Sequence, residues 1–337
     1  VGHGLTKVGG RLLSHGAPPP DVRPPLCSSR PAAWHEQEAP AARPVAGVAD
    51  ARHHERVPEG DTVWLAARRL HDALAGDTLV RGELRVPRYA DLSGRDVLEV
   101  RSRGKHLLLR LSGGLTLHTH FRMDGSWHLY RVGERWQGGP AWQVRVVLAT
   151  QAWQAVGYRL PVVDLVPTER EGDVVGHLGP DLLGEDWDAD EATRRLTARA
   201  GEPVGLVLLD QTVLAGLGNL YRTELCFLRG TTPWTRVADM AAPHAWVELA
   251  HRLLRANRDR AVQVTTGRSG RGERHWVFER STCLRCGSRV GTALQGQPGR
   301  ERITYWCPAC QAGPAPPSRP VRDLLGPAPV GRTRYRP

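Results

Sequence analysis

Four of the six cysteines could hold a metal ion, because they stand in two closely spaced pairs. Cys283 and Cys286 form one Cys-x2-Cys pair, and Cys307 and Cys310 form a second pair after 20 intervening residues. Thiolates at this spacing can converge on one tetrahedral zinc ion at about 2.3 Å, each pair presented by a tight turn. Four sulfur ligands leave no open position, so we expect one structural zinc ion. The alternative of four unrelated free thiols is disfavoured by the paired spacing in a chain with so few cysteines.

The segment between the two cysteine pairs carries arginines in a β pattern. Arg300 and Arg302 are followed by the alternating run Ile303-Thr304-Tyr305-Trp306. This pattern predicts a β-hairpin that presents arginine, a side chain suited to contacts with phosphate.

A turn with two glycines separates two stretches of helical periodicity. The run is Gly216-Leu217-Gly218-Asn219, and we expect Asn219 to open the second helix. The first N–H groups of that helix would then point outward, where a phosphate could bind. The glycines lie between helices instead of after a strand, so they do not form a dinucleotide-binding motif. Taken alone, the run is better explained as an ordinary helix-turn-helix corner.

Three other polar groups have structural explanations when each is taken alone. The pair Pro58-Glu59 is typical of a helix start. Lys105 would be a solvated charge on a strand. His118 and His120 lie on one strand face and could bind a metal ion. Their spacing suggests no third ligand, which favours a structural role or a position near phosphate.

The periodicity of the chain predicts an α+β fold. Apolar residues recur at helical spacing over residues 63–74, behind the expected N-cap residues Asp61 and Thr62, and the helix should end near Gly76. Short alternating runs then predict an antiparallel β-sandwich with strands at 97–100, 106–111, 115–120, 142–148 and 153–160. Helical periodicity returns at 189–200, 204–213, 220–228 and 245–256. We therefore expect an N-terminal helix on a β-sandwich, followed by a helical domain of the helix-two-turns-helix type and a C-terminal four-cysteine zinc finger.

Composition limits the partners and the location of the protein. The 337 residues carry a net charge of +11 with a pI near 10.0, which favours a polyanionic partner. The sequence contains no uninterrupted apolar run of about 18 residues and no secretory signal pattern. We therefore expect no membrane partner and a cytoplasmic, nucleoid-associated protein.

Proline content marks two segments outside the predicted domains. Residues 1–56 hold eight of the 26 prolines with little aliphatic periodicity, and the segment 312–337 is rich in proline and arginine. We expect 1–57 to be a disordered or untranslated extension and 312–337 a disordered tail. Between them we place the β-sandwich domain at 58–180, the helical domain at 181–265, and a basic loop with the zinc finger at 266–311.

Four motifs occur in unbroken order between residues 58 and 311. They are Pro-Glu-Gly at 58–60, Arg-Gly-Lys-His at 103–106, Gly-Leu-Gly-Asn at 216–219 and the cysteine pairs ending in Cys-Pro-Ala-Cys-Gln at 307–311. Together they resemble the formamidopyrimidine-DNA glycosylase and endonuclease VIII family of base-excision repair enzymes. Residues 58–64, 120–127 and 178–184 resemble its actinobacterial endonuclease VIII branch most closely.

The resemblance implies a bifunctional DNA glycosylase and abasic-site lyase. In the family the proline is the first residue of the mature chain, so Pro58 would attack the sugar C1′ through its secondary amine. The resulting iminium acts as an electron sink for β- and then δ-elimination. Glu59 would move protons at the sugar ring oxygen.

The resemblance also assigns contacts with damaged double-stranded DNA, bound by a monomer. Lys105, Asn219 and Arg302 would hold phosphates flanking the damaged nucleotide. Met123, otherwise a core residue, matches a position that fills the gap left by the extruded base. The target nucleotide must be flipped out because its C1′ is shielded in the stack.

The chain departs from the family pattern at its N-terminal end. Residues 1–57 precede Pro58 and would acylate its nitrogen. Because a GUG start codon translated literally appears as valine, Val57 suggests that translation starts at this codon and that the initiator methionine is then removed.

Two further departures bear on the substrate. Thr62 stands where better-known members carry glutamate. Gly205 stands where the branch acting on oxidised purines usually has lysine and, together with Gly60, favours oxidised pyrimidines.

Two other functions remain open at this point. A non-catalytic protein that binds damaged DNA or abasic sites would result if residues 1–57 stay attached. A zinc-ribbon module of a regulator is disfavoured, because a ribbon needs neither the Pro-Glu pair nor the sandwich. The glycine- and arginine-rich segment 266–274 could be a mobile loop near the lesion or a solvated linker.

Overall fold

The computed structural model describes residues 57–86 and 90–317, together with residue 1. The predicted N-terminal disorder falls outside the described residues up to 56, and so does the predicted tail from 318 onward. Residues 312–317 are described, and the Thr232 hydroxyl donates to the Pro314 carbonyl at 2.8 Å. Packing against the helical part therefore continues beyond residue 311.

Helix α1 (Gly60–Leu74) lies on the sandwich through one apolar side. The predicted caps Asp61 and Thr62 are wrong, because the N-cap is Glu59, whose carbonyl accepts from the N–H groups of Thr62 and Val63. Apolar spacing marks the buried side correctly but does not mark the first residue. The buried apolar residues of the helix are Val63, Ala67, Leu70, Ala73 and Leu74.

Nine strands form two antiparallel sheets that face each other across an apolar core. One sheet has the order β2-β1-β7-β8-β6, and the other has the order β3-β4-β5-β9. The strands are β1 (Arg81–Leu84), β2 (Ala90–Asp91), β3 (Val97–Arg103), β4 (His106–Leu111), β5 (Leu115–His120), β6 (Ser126–Arg131), β7 (Val144–Ala149), β8 (Trp153–Tyr158) and β9 (Val162–Pro167). The alternation of apolar residues predicted five of these strands and missed β1, β2, β6 and β9.

The turn between β3 and β4 holds Lys105, which corrects its predicted place on a strand. Gly104 takes the left-handed conformation that the turn requires, with φ of +57°. Its N–H donates to the buried carboxylate of Asp181 at 2.7 Å. The turn is thereby held against the helical part of the protein.

Five helices and a hairpin complete the described chain. The helices are α2 (Glu171–Val175), α3 (Ala189–Thr197), α4 (Val204–Val207), α5 (Asn219–Leu228) and α6 (Pro243–Asn257). Helix α4 is shorter than predicted, because the Asp210 side chain accepts from the Thr212 N–H at 2.9 Å and forms a turn where the periodicity suggested helix. Strands β10 (Gly291–Gln295) and β11 (Arg302–Trp306) form the hairpin predicted between the cysteine pairs. Within residues 57–86 and 90–317, no helix is both long and apolar enough to cross a membrane.

Candidate active site

Glu59 lies buried at the junction of the sandwich and the helical part, with only 1% of its surface exposed. Its carboxylate accepts hydrogen bonds from the backbone N–H groups of Gly218 and Leu220, each at 2.7 Å. These donors are the N-cap residue and the second residue of α5, at the helix start where we predicted N–H groups that point outward toward phosphate. That prediction is wrong for these two groups, because they bind the glutamate of this chain.

The side chains of Glu59 and Lys105 both lie against Gly218. A Cβ at Gly218 would lie 2.5 Å from Glu59 Cδ and 2.6 Å from Lys105 Nζ, much closer than an ordinary contact. Only glycine therefore leaves room for both side chains at the start of α5.

Burial brings the proton affinities of this pair closer together. Burial raises the pKa of Glu59 to about 7, while the positive charge of Lys105 and the two N–H donors oppose the rise. Burial also lowers the pKa of Lys105, against the attraction of Glu59. Glu59 can therefore take up or release a proton near neutral pH, as a general acid or base requires.

Pro58 is half-buried and directly precedes Glu59, and a polar network surrounds the residue before it. The Val57 carbonyl accepts from the Gln263 amide at 3.1 Å and from the Thr62 hydroxyl at 3.2 Å. Gln263 also donates to Asp61, which lies on the buried side of α1. Gln263 was not predicted from the sequence and Asp61 was predicted only as a cap, because their partners are distant along the chain.

Four histidines lie beside the Lys105 turn, including the predicted pair His118 and His120. His106 Nδ1 lies 2.8 Å from His118 Nε2, and the His118 ring contacts Asp164 at 3.3 Å. The fourth ring, His177, lies 6.2 Å from His106 between centroids. Burial lowers the pKa of His106 to about 3, and it lowers the pKa of His120 to about 4. These two rings are therefore neutral at pH 7 and add no charge near Lys105.

Met123 and Arg302, both predicted to contact DNA, lie close together. Met123 follows strand β5, is 59% exposed, and its sulfur lies 3.7 Å from Nη1 of Arg302 in β11. The side-chain amide of Asn219 donates to the carbonyl of Ile303, the residue after Arg302, at 2.9 Å. The side chain of Asn219 therefore supports the hairpin that carries Arg302.

Two buried charged residues of α5 connect that helix to the C-terminal part. Arg222 donates to Gln295 at 2.7 Å and also contacts Asn219. The Glu224 carboxylate accepts from three consecutive backbone N–H groups, those of Trp276, Val277 and Phe278, within 2.9 Å. Neither residue was predicted from the sequence, because a charged residue in an apolar helix gives no signal of its partners.

The four predicted ligand cysteines form one cluster. Their sulfur atoms all lie within 4.8 Å of one another, and those of Cys286 and Cys307 are 3.5 Å apart. A tetrahedral site with sulfur at about 2.3 Å requires sulfur separations of about 3.8 Å, so the cluster fits a bound metal ion. Among the described residues, no other group of three or more metal-binding side chains has this geometry.

Comparison with known proteins identifies the family. The family model for the formamidopyrimidine-DNA glycosylase N-terminal domain matches residues 57–161. A probable endonuclease 8 2 of Streptomyces coelicolor is 56% identical over 287 residues, which cover 83% of this chain and 99% of the relative. The chain belongs to the formamidopyrimidine-DNA glycosylase and endonuclease VIII family.

Other relatives support the actinobacterial branch. The endonuclease 8 2 of Mycobacterium tuberculosis is 44% identical, and the match covers 76% of this chain and 100% of the relative. The DNA-(apurinic or apyrimidinic site) lyase of Mycolicibacterium smegmatis is 43% identical over 76% of this chain and 99% of the relative. The prediction of a glycosylase and lyase enzyme of this branch is confirmed.

Solved structures share the fold. A complex of Lactococcus lactis Fpg with DNA containing N7-benzyl-Fapy-dG aligns with a TM-score of 0.63 at 21% identity, over 76% of this chain and 100% of that one. A second complex of that protein, with DNA containing an oxidized pyrimidine, aligns with a TM-score of 0.64 at 20% identity over the same shares of the two chains. The predicted α+β architecture, with its helix on a sandwich and its four-cysteine cluster, is confirmed.

Proposed function

We propose that a form of this protein beginning at Pro58 excises oxidised bases, preferably pyrimidines, from double-stranded DNA and cleaves the resulting abasic site. One observation carries the proposal: the residue after Pro58 is a buried glutamate, bound by two N–H donors and placed beside Lys105. An amine next to a group that exchanges protons near neutral pH suits iminium catalysis. The preference for pyrimidines rests on Gly205 and Gly60. We propose that the enzyme acts as a monomer in the cytoplasm.

In the first stage, the Pro58 nitrogen attacks C1′ of the flipped nucleotide. The bond from C1′ to the base breaks, and the base leaves with the electron pair and takes up a proton. The nitrogen then loses its proton and donates its lone pair to C1′ as the bond from C1′ to the ring oxygen breaks. Glu59 gives the proton that this oxygen requires, and the product is an iminium with an open sugar.

In the second stage, the iminium drives strand cleavage. A base removes the C2′ proton, and the electrons move into the conjugated system as the 3′ phosphate leaves. Loss of the C4′ proton then expels the 5′ phosphate. Glu59 in its ionised form can accept such a proton, because its pKa of about 7 allows both forms at neutral pH.

Four residues named above have side chains suited to contacts with DNA. We assign phosphate binding to Lys105, Arg302 and the exposed part of Asn219, and we assign Met123 to the space left by the flipped base. The contact between Met123 and Arg302 supports this assignment, because it places an apolar tip and a cation on the same edge.

The four cysteines would hold one zinc ion with a structural role. The donor set consists of four sulfurs, the ligands typical of closed zinc sites. Zinc at this position would fix the turns of both Cys-x2-Cys pairs and so hold the β10–β11 hairpin that carries Arg302.

A binding protein without catalysis is the second candidate, and one observation favours it for the 337-residue chain. The Pro58 nitrogen is there part of a peptide bond, and the Val57 N–H donates to Gln263 Oε1 at 3.1 Å. An acylated nitrogen has no lone pair available for attack on C1′.

The test compares the chain that starts at Pro58 with the 337-residue chain in borohydride trapping. Borohydride reduces the iminium to a stable crosslink on DNA that contains an abasic site or an oxidised pyrimidine. We expect crosslinks only with the chain that starts at Pro58, and fewer with its Glu59→Gln variant. If neither chain forms a crosslink but both bind the DNA, the binding protein is the correct function.

A further inference from the structure

The carbonyl oxygen of Val57 lies in a site built from two hydrogen-bond donors. It accepts from Gln263 Nε2 at 3.1 Å and from Thr62 Oγ1 at 3.2 Å. The carbon of this carbonyl is bonded to the Pro58 nitrogen, the atom that would be bonded to C1′ in the proposed reaction. The Val57 carbonyl therefore marks where a carbon attached to Pro58 carries its oxygen, and it shows which side chains face that oxygen.

Asp61 fixes which end of the Gln263 amide points to this oxygen. The second N–H of Gln263 Nε2 donates to Asp61 Oδ1 at 3.0 Å, and the Tyr221 hydroxyl donates to Asp61 Oδ2 at 3.0 Å. A carboxylate accepts and does not donate, so the NH₂ end of the amide must face Asp61. The orientation of Gln263 is therefore set by groups that remain when Val57 is absent.

The backbone around Gln263 is held as firmly as its side chain. The next residue, Val264, donates its N–H to Asn257 Oδ1 at 2.7 Å and accepts from Asn257 Nδ2 at 2.9 Å. Asn257 ends helix α6 and is only 1% exposed, and Gln263 is 2% exposed. A donor positioned in this way needs little rearrangement when charge develops on a nearby oxygen.

We propose that Gln263 and Thr62 form a two-donor site for the oxygen on C1′ when Pro58 attacks the aldehyde of an abasic site. This inference rests on the function proposed above and names the groups that serve its lyase step. Gln263 and Thr62 are then catalytic residues, because they touch the reacting oxygen, and Asp61 is a positioning residue.

The chemistry places charge on that oxygen. The Pro58 lone pair forms the bond to C1′ as the carbonyl π pair moves to oxygen, and the nitrogen proton passes to this oxygen to give a carbinolamine. The bond from C1′ to oxygen then breaks, the oxygen leaves as water after taking a second proton, and the nitrogen lone pair forms the iminium. Two donors at the oxygen stabilise the charge formed in the first step and the leaving group in the second.

The test measures the single-turnover rate of borohydride trapping on an abasic-site duplex. The parent chain in this test starts at Pro58, so that its nitrogen is a free amine. The variants are Thr62→Val and Gln263→Met, which remove a donor with little change in shape. The matched controls are Thr193→Val, a helical threonine bonded to the Ala189 carbonyl, and Gln154→Met in strand β8.

We expect each site variant to lower the trapping rate by at least about tenfold, since removing one such donor costs about 100-fold or more in other enzymes. The controls should keep the parent rate. Affinity for a duplex with a tetrahydrofuran analogue, which lacks the C1′ oxygen, should stay within about twofold. A structural role would instead lower that affinity and the thermal midpoint.

Three results would overturn the proposal. One is a parent trapping rate in Thr62→Val, a variant that keeps the β-branched shape and should fold normally. Another is a lower trapping rate in the variants that is fully explained by their weaker binding of the tetrahydrofuran duplex. Absence of trapping by the parent that starts at Pro58 would remove the proposed function itself, and with it this inference.

Discussion

Replacing Gly218 by alanine tests whether the two N–H donors and Lys105 set the properties of Glu59. The φ angle of Gly218 is −132°, a conformation open to any residue, so alanine adds only a methyl group and no backbone strain. That methyl carbon would lie 2.5 Å from Glu59 Cδ and 2.6 Å from Lys105 Nζ, so these groups must move by about 1 Å to reach ordinary contact distances.

A shift of about 1 Å would break at least one hydrogen bond from the start of α5 to the carboxylate. A hydrogen bond to a charged group contributes about 1.5–3 kcal/mol, so we expect a comparable loss in the free energy of unfolding. Misplacement on this scale also lowers the rate of a positioned reaction by about 100-fold. Urea unfolding and single-turnover trapping by the chain that starts at Pro58 measure the two effects.

Gly172→Ala is the matched control. Gly172 lies in helix α2, outside the left-handed region of backbone conformation, and no atom lies within 4 Å of an added Cβ. Alanine there should leave the trapping rate unchanged and stabilise the helix by up to about 1 kcal/mol. If Gly218→Ala traps as fast as the parent, the close approach at α5 does not control the chemistry and the reasoning fails.

Three other predictions concern charge and metal. The pKa of Glu59 is raised from 4.5 in the unfolded chain to about 7 in the folded protein. Proton binding by Glu59 therefore stabilises the folded state fully below pH 4.5, and about 3 kcal/mol of this free energy of unfolding is lost as the pH rises to 7. Glu59→Gln should remove that slope from urea unfolding measured between pH 5 and 8, relative to the parent. Removing the metal with a chelator should lower the thermal midpoint of the parent, and Cys286→Ser should abolish this response. Arg302→Ala should weaken DNA binding equally for all sequences and reduce the slope of log affinity against log salt by about 1, measured by titration at several salt concentrations.

Local patterns made the cysteine cluster and most of the sandwich predictable. The cysteine spacing and the alternation in β11 are properties of short segments, so the sequence indicated both. Strand β1 was missed because Gly82 interrupts its pattern. Strand β6 was missed because both of its faces carry a buried residue, Trp127 in the sandwich core and Tyr130 in a second apolar cluster. Helix α1 was placed by its apolar spacing, although its cap was not.

Contacts between distant residues were beyond the sequence analysis. Asp61 meets Tyr221, 160 positions away, and Val57 meets Gln263, 206 positions away. A polar residue on a buried helix side indicates only that a partner exists. The resemblance supplied Glu59 and Lys105 as members of one site, but the burial that changes their proton affinities depends on the packing of two separate parts of the chain.

Glu59 belongs to two helices at once, because its backbone begins α1 and its carboxylate completes the start of α5. The sandwich and the helical part are therefore in contact at Glu59, the residue to which we assign proton transfer. Met123 and Arg302 form a further contact between these halves, at the protein surface. A change in the relative position of the two halves would therefore reach the carboxylate directly, through its two donors.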